Sequence, residues 1–340
     1  MKVRLTDVTL RDGSHTVRHR FTVDDVVAVT TALADAGVPV VEISHGDGLG
    51  GSSLTYGFSL VDERELLEAA APILRERGSK LAVLLIPGIG VATDLEAAAA
   101  IGATVARVAT HCTEADIAEQ HIARARALGF EAVGFLMMAH MVGPKELAEQ
   151  AKIHEAAGAQ VVYCTDSAGA LMPSTVAERI SALREALHPD TIIGFHAHNN
   201  LGLGVANTIK AIEEGARHVD ASTRGLGAGA GNCATEVFVA VCDKLGWETG
   251  IDVMAIANAA EDVVAPIPDR LPSIDRSSLI LGWAGVYSSF LLHAQRASAR
   301  YGVSEADILL ELARRRVVGG QEDMILDVAI ELAARQGAGA

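Results

Sequence analysis

Between residues 3 and 245, a short β-branched or aliphatic segment gives way eight times to an amphipathic segment of helical period. The short segments fall at 3–10, 38–44, 80–86, 105–109, 132–138, 160–165, 192–195 and 218–222, each bounded by Gly, Pro or polar residues as strands are. The helical ones fall at 22–36, 62–77, 94–101, 113–128, 144–157, 174–187, 203–214 and 234–245. Asp24 and Asp25 sit in the first turn of the first helix, and Gly37 follows its end. Thr113-Glu114-Ala115-Asp116 reads as a capping box. Eight strand–helix units in this length predict an α/β fold, the (β/α)8 TIM barrel. A doubly wound open sheet shares the alternation but seldom needs eight strands.

The pattern stops near residue 250. Pro266, Pro268 and Pro272 interrupt the chain, and helical periodicity returns at 277–300, 304–315 and 321–335. This predicts a barrel domain over 1–262 and a helical appendage over 263–340 that covers the barrel mouth or forms an interface. The small-residue end at 337–340 is expected to be flexible.

Half the residues are apolar and few are aromatic, as buried parallel strands under helices require. A formal charge of −15 without any basic stripe excludes a nucleic-acid surface. No apolar run is long and charge-free enough for a bilayer. Cys112, Cys164, Cys233 and Cys242 are widely spaced, with no CxxC pair, which suits a reducing compartment and rules out a zinc ribbon. No apolar signal region precedes Lys2-Val3-Arg4-Leu5, so the expected location is the cytoplasm.

In a (β/α)8 barrel, chemistry sits at the carboxyl ends of the strands. Arg11, Asp12 and His15 follow the first strand; Glu42, His45 and Asp47 end or follow the second. His111, His140 and the pair Asp166-Ser167 follow the fourth, fifth and sixth. His196 and His198 end the seventh, and Arg224 and Asn232 follow the eighth. Two imidazoles two residues apart project to one side of a strand. Joined by the Asp12 carboxylate they form a two-His-one-carboxylate set with open positions, suited to Mn2+, Co2+, Fe2+ or Zn2+ and less so to Mg2+. Alone, His-x-His is ordinary strand-end sequence; the Arg11-Asp12 pair and the following Asn199-Asn200 favour a metal.

Other signals are weaker. Gly46-Asp47-Gly48-Leu49-Gly50-Gly51 matches GxGxxG, but a Ser-Ser-Leu-Thr-Tyr-Gly loop follows where a dinucleotide fingerprint needs a helix. The glycines at 225–231 serve equally as an anion nest or a tight turn. Cys164 reads as a small buried hydrophobe, and His45, His111 and His140 as hydrogen-bonded wall residues. Lys80 starts a strand, and Lys145, Lys152, Lys210 and Lys244 lie on helices. No lysine stands at the mouth to form a Schiff base, which favours a metal-assisted route.

Thr9-Leu10-Arg11-Asp12-Gly13, His196-Ala197-His198-Asn199-Asn200 and Gly231-Asn232-Cys233-Ala234-Thr235-Glu236 resemble the metallolyase barrels, the family of 3-hydroxy-3-methylglutaryl-CoA lyase and isopropylmalate synthase. Further motifs narrow the likeness: His45 through Ser53, Leu85-Ile86-Pro87-Gly88-Ile89-Gly90, Asp166-Ser167-Ala168-Gly169, Gly285-Val286-Tyr287-Ser288-Ser289-Phe290 and Gly319-Gly320-Gln321-Glu322-Asp323-Met324. Together they resemble the 4-hydroxy-2-oxovalerate aldolase family, pyruvate-releasing enzymes of aromatic meta-cleavage pathways. The resemblance implies a divalent metal on Asp12, His196 and His198, usually Mn2+ with Co2+ or Mg2+ as alternatives, and Asn232 at the position of a fourth ligand in the CoA-lyase branch. It implies Arg11 as enolate stabiliser, His15 as general base, and Ser167 and Tyr287 as substrate contacts. It also implies a small 2-oxo acid substrate, and an oligomer that docks an acylating acetaldehyde dehydrogenase through the C-terminal helices. Ser14, Cys164 and Ala170 depart from the family pattern. A near-neutral imidazole suits His15 as a base at pH 7. The rivals are a Claisen-type acyl-CoA lyase or synthase, which would need a basic cluster for CoA phosphates, and a non-catalytic partner subunit of a dehydrogenase.

Overall fold

The computed structural model describes residues 1–338. Eight parallel strands, β1 (Arg4–Asp7), β2 (Val40–Glu42), β3 (Lys80–Leu85), β4 (Val105–His111), β5 (Glu131–Met137), β6 (Val161–Asp166), β7 (Ile192–Ala197) and β8 (His218–Ala221), pair in sequence order, and β8 closes on β1. Around them run α1 (Val23–Asp35), α2 (Glu63–Arg77), α3 (Ala92–Ile101), α4 (Glu119–Ala127), α5 (Pro144–Ala156), α6 (Pro173–Ala186), α7 (Gly204–Glu213) and α8 (Thr235–Lys244). The (β/α)8 barrel expected from the alternation is the fold. No helix among the described residues is long and apolar enough to cross a membrane.

Local chemistry fixes the element ends. Thr22 caps α1 by accepting the Asp25 N–H, while the Asp25 carboxylate accepts the Thr22 N–H at 2.8 Å. Gly78 closes α2 at φ 76°. The first strand is shorter than its apolar run: β1 stops at Asp7, whose carboxylate accepts from Thr9 N, Thr223 Oγ1 and Thr235 Oγ1, turning residues 8–12 out of the ladder, whereas β4 and β7 run two residues past their expected ends. The capping box expected at Thr113 does not form. Its hydroxyl pairs with His111 Nδ1 at 2.8 Å instead, and a 3-10 turn at Ala115–Ala118 leads into α4.

Beyond the barrel lie α9 (Val253–Asn258), a π-helical turn at Ala259–Val264, and then α10 (Arg276–Ala284), α11 (Phe290–Tyr301), α12 (Glu305–Arg315) and α13 (Asp323–Ala338). The single helix expected at 277–300 is two. Gly285 takes φ 72° at the end of α10 and its carbonyl accepts from His140 Nε2 at 3.1 Å, so residues 285–289 form a corner. The barrel core runs from Val3 to Val264, whereas Leu281, Phe290, Ile308, Leu312 and Val328 belong to a separate core of the C-terminal helices. The expectation for 337–340 falls partly outside the described residues, with Gly337 and Ala338 ending α13.

Inside the barrel, Val40, Ala82, Leu84, Val105, Val133, Phe135, Val161 and Tyr163 form one apolar layer. Gly194 on β7 has no room for a side chain, because a Cβ there would strike the Tyr163 ring. The two-residue period then puts Glu42, Arg107, His196 and Asp220 on the same inner face.

Candidate active site

The carboxyl-terminal mouth gathers residues from opposite ends of the chain. Asp12 opens the 3-10 turn Asp12–His15 after β1, and its Oδ2 lies 3.4 Å from His196 Nε2 and 3.5 Å from His198 Nε2. All three side chains are buried. His196 is on β7, and His198 lies two residues further along the same line, so both rings face Asp12.

Each ring is oriented from behind. His196 Nδ1 meets Asp220 Oδ2 at 2.8 Å and His198 Nδ1 meets the Ala228 carbonyl at 3.3 Å. Donation through Nδ1 leaves both Nε2 lone pairs directed at one point, the arrangement by which proteins hold metal-ligating histidines. The three residues offer donor atoms within 4.8 Å of one another and could hold a metal ion. Burial opposes the Asp12 charge, yet Arg11, His198 and His196 hold its pKa well below the usual range. The His196 pKa is raised despite burial because the Asp12 and Asp220 carboxylates flank its ring. Burial lowers His198 to about 4. Asn232 donates from Nδ2 to the Leu226 carbonyl at 3.0 Å, while its buried Oδ1 has no partner among the described residues. An isolated backbone bridge pairs Asn232 with His198 and so places this residue beside one member of the triad.

Beneath lies a charged layer of which the sequence reading named only Glu42. Arg107 pairs with Asp220, and its Nη1 lies 3.0 Å from Glu42 Oε2. Glu42 Oε2 also accepts from Arg11 Nε at 2.7 Å. The Arg107 guanidinium sits 4.6 Å from the Phe135 ring centre and 4.8 Å from that of Tyr163. Thus Arg107 joins the carboxylate behind Arg11 to the carboxylate behind His196. A lone Arg inside the apolar 105–109 run, and an Asp inside 218–222, were the available signals.

Arg11 Nη1 lies 3.5 Å from Asp12 Oδ2 and donates to the Gly46 carbonyl at 3.4 Å, so the guanidinium borders the triad. His15 is buried, which lowers its pKa to about 3; it is therefore neutral at pH 7, not near its midpoint as the sequence suggested. Ser167, just past β6, accepts the Met138 N–H at 3.0 Å through Oγ, keeping its own proton free to donate. Tyr287 sits in the α10–α11 corner, which Ser288 fastens to the barrel: its Oγ donates to the Ser167 carbonyl at 2.7 Å and accepts from Asn200 Nδ2 at 2.8 Å. Tyr287 lines a cavity of about 290 Å³ with Asp47, Ile86, Met137, Gly319 and Glu322, and burial raises its phenol pKa.

The remaining candidates have local duties. His45 Nδ1 accepts the Asp47 N–H at 3.1 Å and its Nε2 meets the Gly57 carbonyl at 3.0 Å. Within the glycine run at 225–231, Gly227 N donates to Thr16 Oγ1, Ala230 N to Asn200 Oδ1 and Gly231 N to the Ala228 carbonyl, so these three N–H groups are already taken up. Gly50 N donates to Glu63 and Leu49 N to the Leu84 carbonyl, so the GxGxxG segment is a loop folded on the barrel. Lys80 pairs with Glu131 at the opposite end of the barrel.

Comparison with known proteins agrees with this architecture. Residues 2–263 match the family model described as HMGL-like, and residues 272–334 the one described as a DmpG-like communication domain. A 4-hydroxy-2-oxovalerate aldolase of Geobacillus thermodenitrificans is 57% identical over 98% of this chain and 96% of its own. One from Paraburkholderia xenovorans is 54% identical over 99% of this chain and 96% of its own. Among solved structures, the HMG-CoA lyase of Brucella melitensis aligns with TM-score 0.67 and 24% identity over 76% of this chain and 96% of that one. The carboxyl transferase domain of Rhizobium etli pyruvate carboxylase aligns with TM-score 0.78 and 20% identity over 97% of this chain and 61% of that one. At these identities the structural likeness speaks to the fold alone.

Proposed function

Because this chain belongs to the 4-hydroxy-2-oxovalerate aldolase family, we propose that it cleaves 4-hydroxy-2-oxopentanoate and related 4-hydroxy-2-oxo acids to pyruvate and an aldehyde, acetaldehyde for the five-carbon acid, in the breakdown of aromatic compounds in the cytoplasm. The observation that carries the reading is the convergence of Asp12, His196 and His198 on one buried point, with Arg11 bordering it. The donor set fits a divalent ion: one carboxylate, two imidazoles aimed by Asp220 and Ala228, and the spare oxygen of Asn232. Two nitrogen donors favour Mn2+ or Co2+ over Mg2+, and Mn2+ is the assignment. When bound, such an ion supplies Lewis-acid neutralisation of charge developing on the 2-oxo acid.

The chain's own groups account for the remaining chemistry. His15, neutral with its lone pair available, takes the proton from the C4 hydroxyl. The electron pair of the C3–C4 bond then passes to the three-carbon fragment as the aldehyde departs. Arg11, its Nε clamped by Glu42, presents the other guanidinium N–H groups to the enolate oxygen, where charge is greatest in the transition state. Ser167 donates its free hydroxyl proton to a substrate oxygen, and Tyr287 closes the aldehyde side of the cavity. The barrel at 1–262 performs the cleavage, and the helices of 263–340 dock an acylating acetaldehyde dehydrogenase in an oligomeric assembly, a reading supported by the communication-domain match.

The test is pyruvate release from a panel of 4-hydroxy-2-oxo acids in the absence of CoA. The reading expects turnover without CoA; strict CoA dependence would move the chain to the acyl-CoA lyases.

A further inference from the structure

A second cluster adjoins the site, and of its members only His15 has a part in the proposed reaction. His15, His19 and Asp47 are buried and offer donor atoms within 4.8 Å of one another. From it we infer that the mouth holds a second, inhibitory divalent cation of the imidazole-preferring kind, bound by these three side chains. The proposal rests on the reading of His15 as the base.

The three donors are oriented toward one another and poorly satisfied otherwise. The His19 ring stacks on His45, centroids 3.8 Å apart at 22°, and its Nδ1 meets Ser14 Oγ at 3.0 Å, leaving Nε2 free. The His15 ring meets it edge-on at 5.0 Å. A Cβ on Gly46 would lie 2.7 Å from His15 Nε2 and 2.8 Å from His19 Cε1, so only glycine leaves the space beside the two rings open. The His15 ring has no hydrogen-bond partner among the described residues. Nor does the Asp47 carboxylate: His45 Nδ1, 3.5 Å from it, is already the acceptor of the Asp47 N–H. That carboxylate is buried with Glu322 close by, and its pKa rises to about 7, the sign of an acid short of a cation.

Two imidazoles and one carboxylate, with water as a fourth donor, suit tetrahedral Zn2+ at about 2.0–2.2 Å per ligand. Side-chain rotations would close the donors from their present spread onto such an ion. The route in is acidic, since Asp47, Glu114 and Glu322 all line the neighbouring cavity. Coordination would occupy the lone pair of His15 that accepts the substrate proton, so the ion inhibits without displacing the one on Asp12, His196 and His198.

Titration of the metal-free full-length chain with Zn2+, counting bound ions and following pyruvate release, tests this. Two ions per chain are expected, turnover rising with the first and falling with the second. H19Q and D47N should each bind one ion, and H19Q should stay active at zinc concentrations that block the parent; either variant suffices if the other does not fold. H198A should lose the tighter ion and keep the second. A single ion on the parent chain, two on both H19Q and D47N, or a second ion that leaves turnover unchanged overturns the proposal. Pyruvate release by H198A would instead overturn the reading of the first site, independently of the count on H19Q.

Discussion

His196 Nδ1 lies 2.8 Å from Asp220 Oδ2, and the same carboxylate pairs with Arg107. One buried acid therefore fixes the tautomer of a site histidine while neutralising a guanidinium in the middle of the barrel. Asp220→Asn keeps the size and removes the charge. Loss of such a partner behind a ligand typically weakens metal binding about 10–100-fold, and calorimetric titration with Mn2+ should read that loss. Unbalancing Arg107 should also destabilise the fold by about 3–5 kcal/mol, the usual effect of removing one member of a buried pair. Unchanged Mn2+ affinity would show that Asp220 does not orient the ligand.

Arg11 touches Glu42 and Asp12 but accepts no role as a donor of lone pairs, so its replacement should separate chemistry from metal binding. Arg11→Lys retains a cation and loses the fork. We expect kcat to fall about 10²–10³-fold, as when an oxyanion donor is removed, with Mn2+ affinity changed little. A fall confined to KM would place Arg11 in ground-state binding instead.

His15→Ala should lower kcat about 10²–10⁴-fold, the range of a lost general base, with the metal still bound. Full turnover by that variant, measured with the metal content verified, would assign the base elsewhere.

The outline of the molecule was legible because each buried strand is a short aliphatic run ended by Gly, Pro or a polar residue, and eight such runs each followed by a helix favour a closed barrel over an open sheet. The triad was legible for a related reason: Asp12, His196 and His198 are polar residues at strand ends, and the barrel gives all strand ends one address. Arg107 and Asp220 were not, since each reads as a single charge within an apolar strand and gains meaning only from the other across the barrel. The corner at 285–289 was hidden by helical periodicity that runs straight through Gly285, while its cause is a contact with His140, far away in sequence. The pKa of His15 was hidden too, because burial rather than a neighbouring residue type sets it.

At the far end of the barrel, Glu131 lies between Arg4 and Lys80. Burial would raise its pKa, but hydrogen bonds from Arg4 and Lys80 overcome that and hold it at about 2, below its ordinary 4.5. A depressed carboxylate contributes stability above its unfolded pKa, and that contribution fades as pH falls from about 5 to 2. Glu131→Gln should therefore be less stable than the parent by about 1–3 kcal/mol at pH 7, with the gap closing through that window in urea unfolding series. A gap independent of pH would mean that packing, not charge, links these strands.

The central claim is that Asp12, His196 and His198 together hold the ion on which carbon–carbon cleavage depends. The direct measurement is pyruvate release from 4-hydroxy-2-oxopentanoate by the chelator-treated chain, before and after Mn2+ is restored, in the parent and in His198→Ala. The account predicts that chelation abolishes release, that Mn2+ restores it in the parent, and that the variant stays inactive at the same Mn2+ concentration. Undiminished pyruvate release from metal-free protein would contradict it.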